Sequence, residues 1–374
     1  MAKAPPMQSN FNLVYDVRMI ANSGIGTQVQ NVLRRLNSIP DVRVKALGDP
    51  EVIKRFVPDC KLPVQLWRAP IYSLREQFSY PRLQANEILL CPHYNAPLSR
   101  LNRSVVVLHD LIHLLSQEFE SPHYRLYASF MLAQAAEKAR RIITVSEYTR
   151  RDFVSRFPQA EARTFVNHNG LDHELFRPPS QNKIAAFRKR YSLPREFLLT
   201  VGIGKKHKNV DFVIRSLIPF WQNGSLRAPL VMAGTGGKLP DYIARRVKDE
   251  RSFGNIIVLP RLSMEEMPVL YAASTMLIMP SLLEGFGFPV IEAMASGTPV
   301  LSSNAASLPE VGGQAAVYFD PHNPLEFTDA LLELLDNAKK RERLSREGLK
   351  QAKKFSWEKH GDRLLEILNG VFAE

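Results

Sequence analysis

Short runs of β-branched and aliphatic residues recur along the chain, separated by longer stretches whose apolar positions fall three or four apart. The short runs predict strands at Leu13–Val17, Val42–Leu47, Ile88–Cys91, Val105–His109, Ile142–Val145 and Thr164–Val166. A second series is predicted at Phe197–Val201, Leu230–Ala233, Ile256–Leu259, Met276–Met279, Val300–Ser302 and Ala316–Phe319. Spacings such as Val29, Val32, Leu33 and Leu36 predict amphipathic helices between them. The strand runs alternate little between apolar and polar, so both faces are expected to be covered, as in parallel sheets flanked by helices. The two series fall on either side of Arg177-Pro178-Pro179, a Pro-rich break suited to a linker. An α/β chain of two Rossmann-like domains follows, residues 1–177 and 178–355. Lys339–Lys354 reads as a highly charged helix, and Ser356 as the N-cap of a last amphipathic helix, within 356–374, carrying Leu364, Leu365, Ile367 and Leu368. Lys359 stands where a capping box would need Glu or Gln.

Composition narrows the class. The chain has 374 residues, 45% hydrophobic and 23% charged, as expected of a globular protein with sizeable cores. It has no apolar run of the roughly 18–20 residues a spanning helix needs. Its first residues carry no apolar stretch before a cleavage site, so no signal peptide is expected. Cys60 and Cys91 are isolated, which suits a reducing compartment and offers no metal-ligand spacing. A cytoplasmic location is therefore expected. The net charge of +12 raises affinity for polyanions, but it is spread over both halves, +7 up to Arg177 and +5 beyond. No interleaved basic–aromatic motif for stacking bases is present, so nucleic acid is not an expected partner. Between Lys54 and Arg103 eight separated Lys and Arg residues alternate with Trp67, Tyr72, Phe78 and Tyr80. That stretch reads first as solvated surface and second as a peripheral contact with the inner face of an anionic membrane.

The segment most informative about chemistry is Pro280–Pro299, SLLEGFGFPVIEAMASGT between two prolines. It leaves the carboxyl end of a buried strand, where open α/β sheets bind ligands. Gly285 and Gly287 allow a sharp turn and close backbone approach, Pro289 suits the first turn of a helix, and Gly297 its end. The amino end of that helix offers N–H groups and a positive dipole to phosphate. Glu284 in the turn and Glu292 one turn into the helix are carboxylates able to accept hydrogen bonds from vicinal hydroxyls of a ribose or pyranose.

The run EGFGFPVIEAMASGTPV, with Glu284 and Glu292 separated by seven residues, resembles the signature of family 4 retaining glycosyltransferases of the GT-B fold. By that resemblance Glu292 binds the donor ribose, Glu284 lies beside the donor sugar, and Gly285, Phe286 and Gly287 give backbone contacts. Val201–Asn209 resembles the family's strand end followed by Lys-Asn, which makes Lys208 the cation on the donor diphosphate. Gly202 belongs to the same turn. Ile203 stands where many relatives have Arg, leaving Lys205, Lys206 or Arg261 as the second cation. Gly234 and Gly236 resemble the glycine-rich turn after the next strand. Pro260 replaces a usual Gly beside the base wall, which leaves the base open.

The N-terminal half is similar to the mannosyl-transferring branch. Asp16-Val17-Arg18 and Ser23–Gly26 resemble its first strand and glycine loop, with Gly24, Ile25 and Gly26 as backbone contacts to phosphate or sugar. His93–Pro97 resembles an acceptor-side loop, with Tyr94 and Asn95, joined by Asp110, as acceptor-side candidates. His109 corresponds to a family His that reaches the donor sugar. The resemblance implies two domains facing across a cleft, the last helix crossing back to the N-terminal one, and donor binding mainly in the C-terminal domain. It implies retention of configuration, catalysis by Lys208, Glu284 and His109, no metal and no cofactor beyond the nucleotide sugar. GDP-mannose is the favoured donor, with UDP- or dTDP-sugars open, and the acceptor a hydroxyl of a glycan or lipid-linked molecule. A GT-B epimerase, a phosphorylase and a non-catalytic sugar-nucleotide binder are the competing readings.

Overall fold

The structure is a computed structural model describing residues 12–39, 43–115, 122–249 and 253–372. The expected start of the second strand at Val42 and the sequence before Asn12 lie outside these residues. The chain divides into two compact units, one formed by 1–170 with 356–374 and the other by 171–355.

The first unit is built on a seven-stranded parallel sheet. Its strands are β1 (Asn12–Asp16), β2 (Arg43–Gly48), β3 (Val64–Leu66), β4 (Glu87–Cys91), β5 (Ser104–Leu108), β6 (Arg141–Thr144) and β7 (Thr164–Val166), in the order β3-β2-β1-β4-β5-β6-β7. Leu13 pairs with Val44 on one side and Ile88 on the other, so β1 is central. β4 and β5 are buried along their whole length, the double coverage that the unbroken apolar runs predict. The helix Pro122–Lys138 brings Met131, Leu132, Ala135 and Ala136 onto this core, the small residues allowing close approach to the sheet. β3 was not expected from the sequence. It is a three-residue edge strand following Pro63, with Leu66 55% exposed, too short to display a period.

The last helix, Trp357–Phe372, belongs to the first unit although it comes at the end of the chain. Ser356 Oγ accepts from Lys359 N at 3.3 Å and caps it. The helix is fixed by an Arg35–Asp362 ion pair at 2.5 Å and by Arg140 Nη2 donating to Val371 O at 2.8 Å. Asn167 Nδ2 also donates to His360 O at 3.1 Å. Burial pushes the His360 imidazole down to about 4, so it is neutral and its Nδ1–H donates to His168 O at 2.8 Å. Where the chain leaves and re-enters this unit, a Cβ on Gly170 would lie 2.5 Å from Ser356 C and 2.6 Å from Trp357 Cα. Both are backbone atoms that cannot swing aside. Gly170→Ala is therefore expected to destabilise the protein by about 1–3 kcal/mol. A chemical denaturation midpoint equal to the parent's would refute this.

The second unit has a six-stranded parallel sheet, β8 (Leu198–Val201), β9 (Leu230–Ala233), β10 (Ile256–Val258), β11 (Met276–Met279), β12 (Val300–Ser303) and β13 (Ala316–Phe319), ordered β10-β9-β8-β11-β12-β13. Phe212 stacks parallel to Phe319 in its core, and Phe327 lies tilted against both. The Pro-rich break expected as a linker lies inside this unit. A Cβ on Gly297 would stand 3.7 Å from Pro178 Cγ, so the prolines pack there instead of bridging. In both sheets the order reverses beside a central strand, between β1 and β4 and between β8 and β11. Loops leaving the carboxyl ends at such a reversal diverge and open a crevice, and the functional residues gather at these two places.

Candidate active site

In the second unit the site is organised by the loop after β11. Gly287, at φ +102°, is the N-cap residue of the helix Phe288–Ala295, and a Cβ there would meet Leu308 Cδ2 at 2.7 Å. Only glycine satisfies both constraints. Pro289, which has no N–H, occupies the first turn, no side chain caps the helix, and Val290 N donates to Gly287 O at 3.0 Å, so the positive end of the helix faces the loop. Ser307 Oγ lies 3.0 Å from Glu284 O and 2.9 Å from Phe286 O, and Ser303 Oγ donates to Ser281 O at 2.6 Å. Leu282 N donates to His207 O at 2.8 Å, tying this loop to the one after β8. Phe286 turns its ring inward against Phe288 and Phe355, so only its backbone can serve a ligand.

Across the β8/β11 reversal, Lys208 Nζ donates to Glu284 Oε1 at 2.6 Å, and Ser281 Oγ donates to the same oxygen at 2.7 Å. The two side chains are 18% and 11% exposed, so the pair sits where solvent screens it weakly. Asn209, at φ +55°, ends the short turn Lys206–Lys208 and is held by its amide donating to Pro321 O at 3.1 Å. Gly202, at φ +73°, lies beneath the Lys208 stem, where a Cβ would be 3.8 Å from Cε. Ile203 is fully buried in the core. The side chain at that position points away from solvent, so a cation would have to come from elsewhere. Of the alternatives, Lys205, Lys206 and Arg261 are all exposed.

Glu292 is half-buried on the helix Phe288–Ala295, its Oε2 accepting from the buried Tyr271 hydroxyl at 2.7 Å. Burial pushes its carboxyl up to about 7, with the Tyr271 hydrogen bond opposing. The turn after β9 is shaped by three glycines. Gly234, at φ +110°, approaches Gly202 N so closely that a Cβ would stand 2.9 Å away. A Cβ on Gly236 would stand 3.9 Å from Arg261 Cβ, and one on Gly237 3.7 Å from Pro260 Cα. Gly202, Lys208, Gly234, Gly236, Arg261, Glu284–Gly287 and Glu292 thus line the carboxyl edge of one sheet.

In the first unit the glycine loop is not a loop. Ser23–Asn37 is helix, and Gly24, Ile25 and Gly26 form its first turn. A Cβ on Gly26 would lie 2.6 Å from Ile20 O, so glycine is required to pack the helix start against the chain leaving β1. The pattern Ser-Gly-Ile-Gly reads as a loop because glycine is a poor helix former, and this tertiary contact overrides that propensity. Asn22 N-caps without a side-chain hydrogen bond, so Gly24 and Ile25 present backbone amides.

Beside them lies a network whose core sequence reading missed. Arg18 Nη2 bonds Asp16 Oδ2 at 2.6 Å and Glu76 Oε1 at 2.5 Å, Nη1 donates to Ala69 O at 2.9 Å, and the guanidinium stacks on Trp67 at 3.6 Å. Burial raises Glu76, and Arg18 only partly offsets it. Glu76 also accepts from Tyr72 N at 2.9 Å and from the Asn95 side-chain amide, whose oxygen in turn accepts from the Tyr127 hydroxyl. Asn95 is buried with both ends of its amide engaged, so it braces this region. Tyr94 is also buried, in ring contact with His93 at 4.0 Å and His113 at 5.7 Å. Tyr72, 43% exposed and at φ +63°, sets its hydroxyl 3.2 Å from His93 Nε2. Glu76 stands far in sequence from Arg18 and Asn95 in a stretch that reads as basic surface, so spacing gave no signal for it.

His109 follows β5 and is half-buried. Its Nε2–H donates to Pro92 O at 2.9 Å, which leaves Nδ1 as an acceptor. Burial lowers its basicity, against the pull of Asp110. Asp110 Oδ1 caps the short helix Ile112–Leu115 by accepting from Ile112 N at 3.0 Å. Among the described residues no group of three or more His, Cys, Asp or Glu side chains could hold a metal ion, and no helix is long and apolar enough to cross a membrane.

Two family models match the chain in tandem, "Glycosyltransferase Family 4" over residues 23–175 and "Glycosyl transferases group 1" over 183–351. The chain belongs to the family 4 glycosyltransferases. Its relatives include mannosyltransferases and D-inositol 3-phosphate glycosyltransferases. O-antigen chain mannosyltransferase B of Escherichia coli is 29% identical over 301 residues, 78% of each chain. Serotype-specific mannosyltransferase WbdA of Escherichia coli is 30% identical over 264 residues, 68% of this chain. The glycosyltransferase spans only about a third of WbdA, the match covering 32% of that protein. Among solved structures, HepE of Anabaena, in complex with UDP and glucose, superposes with a TM-score of 0.74 at 17% identity. That match covers 95% of this chain and 98% of the other. This fixes the GT-B fold of the glycosyltransferase.

Proposed function

We propose that this glycosyltransferase moves mannose, with retention and without a metal, from GDP-mannose to a hydroxyl of a glycan or lipid-linked acceptor. The reading rests chiefly on the Lys208–Glu284 pair at the β8/β11 reversal, beside the uncapped helix that carries Glu292. The donor's ribose hydroxyls bind the Glu292 carboxylate, and its diphosphate meets the Lys208 ammonium and the positive end of that helix's dipole. As the glycosidic bond breaks, the departing nucleoside diphosphate gains charge, and these groups stabilise the charge as it develops. Glu284, steadied by Ser281, holds the sugar hydroxyls. In the first unit, His109 offers the neutral Nδ1 as a hydrogen-bond acceptor, and the region around Tyr72 and Tyr94 has the aromatic, hydroxyl-rich character that suits a saccharide. Mannose is supported by the mannosyltransferases that the chain resembles over most of its length.

Turnover of a nucleotide-sugar panel without acceptor tests the donor, because slow hydrolysis needs no partner. GDP-mannose is expected to release GDP fastest, unaffected by EDTA, with α-mannose as the first anomer detected by NMR. Faster turnover of a UDP- or dTDP-sugar would overturn the donor assignment. Loss of activity in EDTA, or initial β-mannose, would overturn the mechanism.

A further inference from the structure

The second unit has a cavity of about 520 Å³ at the amino edge of its sheet, away from Lys208 and Glu284. It is lined by Thr275 and Pro299, which directly precede β11 and β12, and by Arg188, Arg195, Arg341 and Arg346. Strands are parallel here, so the carboxyl-edge loops holding Lys208 and Glu284 lie at the opposite end of the same strands.

Four guanidiniums converge on this cavity, against two exposed carboxylates, Glu196 and Glu342. Among the described residues none of the four arginines forms an ion pair. Two are anchored by backbone. Arg188 Nη2 donates to Ala273 O at 2.6 Å, and Arg341 Nη1 donates to Leu334 O and Leu335 O at 2.5 Å each. These bonds satisfy carbonyls at the ends of the helices Met267–Ala273 and Pro324–Asp336, a common use of arginine. Capping does not account for the rest. Arg188 Nε is buried with no hydrogen-bond partner, and Arg195 and Arg346 project exposed at the rim. Burial and the neighbouring charge of Arg195 both lower the Arg188 guanidinium, the direction expected where like charges gather without counter-charge. Such a gathering is unfavourable unless an anion completes it.

We infer that this cavity binds an anion carrying two or more linked phosphate groups, such as a pyrophosphate or tripolyphosphate moiety. Planar guanidinium forks match phosphate oxygens in pairs, and several forks around one concavity favour a chain of phosphates over a single one. A cavity of this size accommodates such a group together with an organic substituent. A diphosphate free in solution and one borne by a lipid present the same oxygens to the arginines.

The test uses the full chain carrying Lys208→Ala, which removes the cation of the donor loop, titrated calorimetrically with tripolyphosphate in 0.15 M salt. One equivalent is expected to bind, with orthophosphate weaker. Adding Arg195→Gln and Arg346→Gln, both exposed positions, is expected to raise Kd at least about tenfold, the loss of one or more charge-assisted hydrogen bonds. Unchanged Kd in the arginine variant, no binding at millimolar tripolyphosphate, or binding abolished by Lys208→Ala alone would each overturn the inference. A parallel arm separates the sources. Flotation with phosphatidylcholine vesicles containing a polyprenyl diphosphate, lost in the arginine variant, supports a lipid-borne ligand. Binding of free pyrophosphate without vesicle capture supports a soluble one.

Discussion

Lys208→Ala is expected to lower the rate of donor turnover by roughly 10²–10³-fold, with a smaller effect on KM. The magnitude follows from removing one preorganised positive group from a site where charge develops only as the bond breaks. The ammonium is 2.6 Å from Glu284 and its side chain only 18% exposed, so water cannot replace it at low cost. Its stem passes over Gly202, and its neighbour Asn209 is held by a hydrogen bond to Pro321 O. Ser281 still donates to Glu284 in the variant, so the loop is expected to keep its shape and the melting temperature to change little. The measurement is the initial rate of nucleoside diphosphate release at saturating donor. A kcat within about twofold of the parent would remove Lys208 from the mechanism.

Glu292→Gln has the second largest expected effect, and it divides into binding and stability. A carboxylate holding two ribose hydroxyls makes charge-assisted hydrogen bonds of about 1.5–3 kcal/mol, so donor affinity is expected to fall roughly 10–100-fold at pH 8. The parent carboxyl is raised to about 7 by burial, and only its ionised form makes those bonds in full. Parent affinity is therefore expected to rise between pH 6 and pH 8, while the glutamine variant stays flat. Stability moves the other way. The native state retains this proton from the unfolded value of 4.5 up to about 7, so the parent loses stability as pH rises through that window. The glutamine has no proton to lose and is expected to be the more stable protein at pH 8, by up to about 3 kcal/mol, with the difference vanishing near pH 4. Equal donor affinity at pH 8, or a stability difference independent of pH, would contradict the assignment.

The strands and the glycine loop after β11 are legible in the sequence for a common physical reason. Strands buried on both faces must be apolar at consecutive positions, and a turn that brings backbone against a ligand must use glycine. Both constraints act on adjacent residues and so leave a local pattern. Lys208, Glu284 and Glu292 could be singled out because each stands at a fixed offset from such a pattern. What stayed hidden depends on partners distant along the chain. Glu76 is identified only by folding onto Arg18 and Asn95, and Tyr271 only by its hydroxyl reaching Glu292. The Gly24–Gly26 turn illustrates a local rule misleading, since its glycines admit the carbonyl of Ile20 to the side of a helix instead of loosening a loop. The arginine cavity was equally silent, because its four side chains come from segments as far apart as Arg188 and Arg346.

The return of the last helix to the first unit has a consequence for the order of assembly. Residues 171–355 are one unbroken run, so every part of the second unit has been synthesised before translation reaches Ser356. The first unit is then still missing the segment that supplies Trp357, Leu364, Leu365 and Leu368 to its core. Domains in most chains can complete themselves in the order in which they are made. Here the half that begins synthesis first is the one that must wait, with the first helix Ser23–Asn37 lacking its Asp362 partner until the closing residues arrive. The last turns of the chain therefore decide when the earliest-made half becomes complete.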